Sequence, residues 1–201
     1  MNDEKSLEEN SSVGKASEKA KDAGSLTRFV LEAWDHAYSG TPNVFEDYFT
    51  PDFKMLGPET KMVSQEPDGS LRGKAAIQSY HDMNHGDAQM WGKVEAECVF
   101  SLESDNTTVR IMRWTSSEPR GNYAGVENIP PDRVVTINGV FIDKLRDGKI
   151  YEMWFTYDTL NFLLDIAGGD HKKAADALAK MGEMMEMMKK AQAEGKPLPM
   201  P

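Results

Sequence analysis

The chain has 201 residues and a formal net charge of -10 at pH 7. This length suits one domain with appendages, and the acidic excess argues against a nucleic-acid partner because no cluster of Arg or Lys offsets it. The single cysteine, Cys98, excludes a disulfide within the chain. The N-terminus lacks a signal-peptide pattern and no apolar run is long enough to span a bilayer, so we expect a cytoplasmic protein with no membrane partner.

The first part of the chain divides into a polar tail and an amphipathic helix. Residues 1–24 hold too few large apolar residues to bury a core, so we expect a disordered tail. From Ser25, apolar residues recur at helical spacing, which predicts a helix with Ser25 as its N-cap and Gly40 and Pro42 beyond its end. The apolar face consists of Leu26, Phe29, Val30, Ala33, Trp34, Ala37 and Tyr38.

Shorter elements follow this helix. Residues 44–49 predict a short helix that Pro51 ends, and residues 53–58 predict a short strand. The stretch 61–73 is rich in turn residues and poor in apolar ones, so we expect an exposed loop there. A further helix is expected to start at the end of this loop and to end near residues 84–86.

Two pairs of β-strands are predicted in the second half of the chain. In the first pair, alternating apolar residues from Val94 to Leu102 precede a strand that ends at Trp114, and the intervening glutamates, Glu95, Glu97 and Glu103, are expected to face water. In the second pair, residues 134–145 and 149–157 flank Asp147-Gly148, a dipeptide that tolerates positive φ at both central turn positions. This order predicts an α+β fold in which a curved antiparallel sheet is covered by helices and leaves a pocket between them.

Asp158 is the main candidate for chemistry. Strand alternation places Ile150, Glu152, Trp154, Thr156 and Asp158 on one face, which puts Asp158 beside Trp154 at the end of the strand. Asp is also a preferred N-cap, and the following Leu-rich segment before Gly168-Gly169 predicts a short helix. The two roles are compatible, because a residue at such a corner can cap a helix and face a cavity.

A general base also needs surrounding groups. An apolar pocket favours the neutral form of a carboxyl group, and Trp34, Met55, Trp114 and Trp154 are candidate walls. Candidate hydrogen-bond donors for an enolate are Tyr38, His36, Tyr80 and His81, among which the sequence does not choose. Aromatic residues at helical spacing are also typical of a core, and that alternative stays open. Because His81 and His85 lack an indicated third ligand, we expect no metal and no cofactor.

The C-terminal part predicts an amphipathic helix followed by an extended end. From His171, an apolar stripe of alanine, leucine and methionine recurs at helical spacing, and the segment after Gly195 is rich in proline. We expect this Met-rich helix to pack on the domain or on a second copy of it, with a lid over the pocket as the alternative. The stripe consists of Ala174, Leu178, Met181, Met185 and Met188.

Several of these motifs together resemble the SnoaL-like polyketide cyclases of the nuclear transport factor 2-like superfamily of α+β cone folds. The motifs are Trp34 in the N-terminal helix, Asn128-Ile129-Pro130-Pro131 before a β-rich run, and Asp147-Gly148-Lys149-Ile150 followed by Trp154 and Asp158. The resemblance covers residues 25–169, with a tail before and the Met-rich helix, 170–201, after. It implies a cofactor-free aldol closure of an aromatic polyketide ring, in which the aspartate matching Asp158 is the general acid/base. The family often has a histidine before the Ile-Pro-Pro motif, where this chain has Arg120-Gly121-Asn122-Tyr123.

Two hypotheses of different class follow. In the first, the chain is a cofactor-independent enzyme of cyclase or isomerase type that acts on a hydrophobic carbonyl compound through Asp158. In the second, it is a non-catalytic small-molecule-binding or dimerisation module with the same fold. A homodimer is expected in either case, because related cone folds commonly pair through the open side of the sheet.

Overall fold

The computed structural model describes residues 23–58, 60–64, 66–78, 81, 94–117, 126, 129–130 and 132–194. The helices are α1 (Ser25–Tyr38), α2 (Val44–Tyr48), α3 (Thr60–Val63), α4 (73–78), α5 (Thr159–Ile166) and α6 (His171–Ala193). The strands are β1 (Phe49–Leu56), β2 (Leu71–Arg72), β3 (Val94–Ser104), β4 (Thr107–Ser116), β5 (Val135–Arg146) and β6 (Lys149–Tyr157). None of the described helices is long and apolar enough to cross a membrane.

The six strands form one curved, unclosed sheet in the order β2-β1-β6-β5-β4-β3. All neighbouring strands are antiparallel except β1 and β6, which run parallel. The predicted hairpin is confirmed, since β5 pairs with β6 and both turn residues have positive φ, 52° at Asp147 and 75° at Gly148. The predicted α+β fold with helices against a curved sheet is therefore confirmed.

Two apolar clusters hold the fold together. In the first, α1 packs its buried residues, which include Val30, Ala33 and Trp34, against one face of the sheet, called the inner face below. In the second, α5 and the start of α6 pack on the first residues of β5, with Leu163 and Ile166 at their centre. The inner face thus has one part covered by α1 and another covered by α5.

The region from Phe49 to Arg72 is more ordered than the sequence predicts. Strand β1 begins at Phe49 and continues through Pro51, with an irregular register beside β6 up to Lys54. The stretch 61–73, predicted as a loop, contains most of α3 and also β2. Buried Thr60 stabilises this turn because its hydroxyl accepts a bond from the backbone N–H of Gly57 at 3.0 Å and donates to the carbonyl of Gly57 at 2.9 Å.

A bulge shifts the alternation that the sequence predicts for β6. Leu145 pairs with Ile150 and Lys144 pairs with Glu152. Between these two pairs β6 advances by two residues while β5 advances by one, which is a β-bulge in β6. Ile150 is therefore buried, whereas Glu152 and Trp154 lie on the opposite, outer face. The expected grouping of Ile150 with Trp154 is wrong, because alternation holds only where the register is regular.

Helix α6 buries a different stripe from the expected one. Ala174 and Ala177 are each 2% exposed and Met181 is partly buried, whereas Leu178 is 48% exposed. The small alanines allow α6 to approach α5 closely, and this close approach selects the buried face. The side chains of Met185 and Met188 lie outside the described part of the chain, as do residues 1–22 and 195–201 with their expected tail and extended end.

The N-terminus of α1 is capped by a distant residue and not by Ser25. The N-cap position is Gly24, which offers no side chain, and Glu103 of β3 accepts a hydrogen bond from the backbone N–H of Thr27 at 2.6 Å. Burial opposes ionisation of Glu103, but the bonds from Thr27 and Leu26 outweigh it and lower the pKa of this carboxyl. Glu103 is exposed, as expected, yet its carboxylate holds α1 to the sheet.

Replacing Glu103 with Ala is expected to lower the free energy of unfolding by about 0.5–2 kcal/mol, as loss of a helix cap does. Because folding lowers the pKa of Glu103, its contribution is present above the unfolded pKa of about 4.3 and is lost as the pH falls through the folded value. Urea denaturation at neutral and acidic pH measures both effects. Glu97→Ala on the same strand is the control, and an equal loss in the two variants would contradict the capping role.

Candidate functional site

A buried charged pair lies on the inner face among apolar side chains. Arg110 of β4 is 2% exposed and Asp143 of β5 is fully buried. Arg110 donates to Asp143 Oδ2 from Nε at 3.0 Å and from Nη2 at 2.6 Å. Burying such a pair is costly unless its hydrogen bonds are satisfied, so its surroundings determine whether the site is stable.

Two further donors complete the environment of Asp143. Trp34 of α1 donates its indole N–H to Oδ1 at 2.9 Å, and the Thr108 hydroxyl donates to Oδ2 at 3.4 Å. Trp34 crosses from the helix to the sheet, so this bond fixes α1 over the inner face. Asp143 therefore receives four donor groups in an interior closed to solvent, so its carboxylate joins α1, β4 and β5 in the core.

Aromatic rings continue the inner face from this pair towards the end of β6. The guanidinium of Arg110 lies 5.4 Å from the ring centroid of Phe141. Phe141 contacts both Trp114, at 5.6 Å between centroids, and Tyr157, at 5.8 Å. Trp114 and Tyr157 also contact each other edge to face at 5.9 Å and are only partly buried. In this aromatic group, Trp114, Phe141 and Tyr157, the rings of Trp114 and Tyr157 are partly accessible and that of Phe141 is buried.

Cys98 lies on the same face and has an unreactive thiol. Its neighbour across the strands is Met112, and its sulfur lies 3.5 Å from the carbonyl oxygen of Phe100. Burial raises the pKa of the Cys98 thiol, and the opposing effect of the positive charge on Arg110 is smaller. The thiol is therefore protonated at neutral pH, which argues against a nucleophilic role.

Asp158 follows Tyr157 directly and caps α5. Its Oδ1 accepts the backbone N–H of Asn161 at 3.3 Å, and its Oδ2 accepts the side-chain amide of the same residue. The backbone N–H of Asp158 donates to the carbonyl of Asn138 at 2.8 Å, which continues the pairing of β6 with β5. Asp158 is half-buried, and the two bonds from Asn161 leave other lone pairs of the carboxylate available.

The other residues singled out in the sequence separate into three groups. Trp34 and Met55 are buried on the inner face, and Tyr38, Trp114 and His81 are half-buried, with His81 packed against Gly40. His36 contacts Thr41 and Tyr48 on the outer side of α1. Trp154 is 38% exposed on the outer face, away from the buried pair. Tyr80 and His85 lie outside the described residues.

Arg110 and Asp143 were missed in the sequence, although strand alternation contains a signal for both. Arg110 shares its parity with Thr108 and Met112, and Asp143 shares its parity with Phe141 and Leu145, so each charge falls at an inward position. Two charges of opposite sign at inward positions of neighbouring strands indicate a buried ion pair. Among the residues that the structure describes, no three His, Cys, Asp or Glu side chains cluster as a metal site would require.

Solved structures with a similar fold are numerous. IdmH from Streptomyces antibioticus, a candidate polyketide cyclase, is 16% identical with a TM-score of 0.57, over 72% of this chain and 99% of that one. AclR from Streptomyces galilaeus, a candidate hydroxylase, is 15% identical with a TM-score of 0.51, over 71% and 96%. A candidate SnoaL-like polyketide cyclase from Jannaschia is 19% identical with a TM-score of 0.50, over 71% and 91%.

No family model matches the sequence, and no curated protein matches it either. The similarity to solved structures therefore rests on the path of the chain, which covers nearly the full length of each neighbour. At these identities it shows the fold and leaves the reaction to the residues of the site. The chain therefore shares the fold of these solved structures, which include a candidate SnoaL-like polyketide cyclase.

Proposed function

We propose that the chain is a cofactor-free acid–base enzyme that acts on a hydrophobic carbonyl compound, with Asp158 as its general acid/base. The observation that carries this proposal is the half-buried carboxylate of Asp158, which follows Tyr157 of the aromatic group directly in the chain. The apolar part of a substrate would pack on Trp114 and Tyr157. An aldol closure of the polyketide cyclase type fits such a site.

Asp143 and Asp158 differ in their suitability as a base. Asp143 is fully buried and already receives four donor groups, including two from Arg110. Asp158 receives two bonds, both from Asn161, and is half-buried. A base must reach the proton that it removes, so the accessible carboxylate suits this role better.

The proposed reaction needs no redox partner. The Asp158 carboxylate takes a proton from the carbon α to one carbonyl, and the resulting enolate attacks a second carbonyl of the same molecule. A carbon–carbon bond forms, and the new alkoxide takes the proton back from the Asp158 carboxyl group, which restores the base and makes the closed ring an isomer of the substrate. The Asn161 amide keeps the carboxylate oriented while its remaining lone pairs face the substrate.

The half-reaction can be tested without the natural substrate. We expect the chain to accelerate exchange of the α-protons of β-tetralone, a cyclic ketone fused to a benzene ring, in heavy water, with no loss of rate after EDTA treatment. Proton NMR follows the exchange. A rate equal to that of buffer across a series of aryl ketones would contradict the proposal.

A second candidate function is non-catalytic binding of a hydrophobic small molecule. It is favoured by the capping of α5, because both oxygens of Asp158 already serve a structural purpose. Under this alternative, aryl ketones raise the melting temperature of the chain without any exchange of their protons. Thermal unfolding measured beside the exchange assay separates the two functions.

We also propose that the chain forms a homodimer through the outer face of the sheet. Two rows of apolar side chains cross this face at paired positions, one along Leu102, Val109, Ile142 and Trp154 and the other along Phe100, Ile111 and Val140. Leu102 is 58% exposed and Phe100 is 47% exposed. A contiguous apolar surface of this kind is typical of a protein interface.

The charges beside these rows are mutually paired. Glu152 contacts Lys54 and Lys144 at 2.7 Å each. Burial opposes ionisation of Glu152, but the bonds from the two lysines outweigh it and lower the pKa of this carboxyl. Because these charges partly offset one another within the chain, the face can meet a second copy of itself with less like-charge repulsion.

The dimer is tested by placing charge in one apolar row. The variant with Leu102→Lys and Trp154→Lys is expected to have the 22.5 kDa mass of one chain, whereas the unmodified chain has twice this mass. Both side chains are exposed, so the substitutions leave the monomer folded. Light scattering at micromolar concentration gives the mass, and Leu178→Lys on α6 is the matched control. A single-chain mass for the unmodified protein would overturn the proposal.

A further inference from the structure

A groove lies between the end of α5, helix α6 and the segment that leads into β5. Its cavity volume is about 680 Å³, which is within the usual size of small-molecule sites. The floor is apolar, since Ile129, Ile166, Ala167 and Ala177 line it and none is more than 8% exposed. These residues belong to the second apolar cluster, so the groove is separate from the inner-face site.

Charged side chains surround the apolar floor. Arg133, Lys173 and Lys180 contribute three positive charges, and Asp176 and Glu183 contribute two negative ones. Asp176 is already paired with Lys172 at 2.7 Å. The rim therefore keeps at least one uncompensated positive charge, although the chain as a whole is strongly acidic. This local excess favours a ligand with a single negative charge.

The guanidinium of Arg133 lies against the backbone of Gly168 at one end of the groove. A side chain on Gly168, which follows α5 with a φ of +69°, would place its Cβ 2.6 Å from Nη2 of Arg133. The bare backbone of Gly168 thus leaves room for the guanidinium. Among the described residues, no salt bridge is formed by Arg133 or Lys180, whereas the charge of Lys173 also acts on the Asp170 carboxylate and helps to lower its pKa. The planar guanidinium suits a carboxylate, which it can bind by two parallel hydrogen bonds.

We infer that this groove binds a small hydrophobic carboxylate, with the carboxylate on Arg133 and the apolar body on the floor between α5 and α6. Lys173 and Lys180 add electrostatic attraction from the rim. A ligand in this position touches both α6 and the segment before β5. It would therefore hold the C-terminal helix against the domain.

Decanoate is a suitable probe, and decanol is its neutral partner of equal chain length. Isothermal titration calorimetry on the full chain is expected to show decanoate binding at least about tenfold tighter than decanol, because a charge-assisted bond contributes that much. Arg133→Gln is expected to weaken decanoate binding by about tenfold or more and to leave decanol unchanged. Lys190→Gln, at the far end of α6, is the control and is expected to change neither.

The position of the ligand needs its own variant. Ala179 lines the groove from an exposed position, so Ala179→Trp fills the groove without altering the core and is expected to abolish decanoate binding. Circular dichroism checks folding, and if Arg133→Gln unfolds, the Lys173→Gln and Lys180→Gln double variant replaces it. Equal affinity for decanoate and decanol, full binding by Arg133→Gln or Ala179→Trp, or no binding by the unmodified chain would each overturn the inference.

Discussion

Replacing Asp143 with Ala is expected to lower the free energy of unfolding by about 3–5 kcal/mol, the largest loss among the substitutions considered. The variant leaves the Arg110 guanidinium buried at 2% exposure without its counter-charge. It also removes the acceptor of the Trp34 indole, which fixes α1 to the sheet. Urea denaturation followed by tryptophan fluorescence measures the change.

Two comparisons separate the buried pair from a general effect of losing an aspartate. Asp52 pairs with Arg146 at 2.5 Å on the surface, so Asp52→Ala is expected to change the stability little. The double variant with Arg110→Met and Asp143→Leu is expected to recover much of the loss, because an apolar pair of similar volume needs no counter-charge. A loss for Asp143→Ala as small as that for Asp52→Ala would contradict the structural role of the pair.

The second large effect concerns activity. Asp158→Asn is expected to reduce the exchange of ketone α-protons by about 10²–10⁴-fold, because an amide is a poor proton acceptor. Its stability is expected to stay close to that of the unmodified chain, because Asn is as good an N-cap as Asp. The exchange rate and urea denaturation measure the two properties on the same preparation.

Asp158→Ala distinguishes the cap from the base. This variant loses both, so it is expected to lose activity and also about 0.5–2 kcal/mol of stability. The bond from the backbone N–H of Asn161 to Oδ1 is the contact removed. Equal stability of the Asn and Ala variants would show that the cap contributes nothing to folding.

Local sequence patterns predict the helices and strands that form because of features within their own segments. Helix α1 follows from apolar periodicity, and the hairpin of β5 and β6 follows from Asp147-Gly148 between alternating strands. Strand β2 could not be predicted, because its two residues are stabilised by pairing with β1 and not by their own propensity. The Glu103 cap of α1 joins residues 76 positions apart, so no local pattern contains it.

The candidate site is predictable only in part, for a related reason. Asp158 at a strand-to-helix corner follows from the sequence, and its capping of α5 agrees with its residue type. The bulge between β5 and β6 reverses the expected face of Ile150 relative to Trp154, since one extra residue changes the parity. Arg110 and Asp143 occupy inward positions, where a charged side chain is stable only with a partner of opposite charge. They contact each other because β4 and β5 are neighbours in the sheet.

The central claim is that the Asp158 carboxylate transfers a proton, and Asp170 offers a control of the same chemical type. Asp170 caps α6 by accepting the backbone N–H groups of Lys172 and Lys173 at 3.0 and 3.1 Å, but it is exposed and far along the chain from the aromatic group. The most direct measurement is the rate of β-tetralone α-proton exchange for Asp158→Asn beside Asp170→Asn at equal folded concentration. We predict a loss of about 10²–10⁴-fold for Asp158→Asn and none for Asp170→Asn. Near-normal exchange by Asp158→Asn, or equal losses in both variants, would contradict the account.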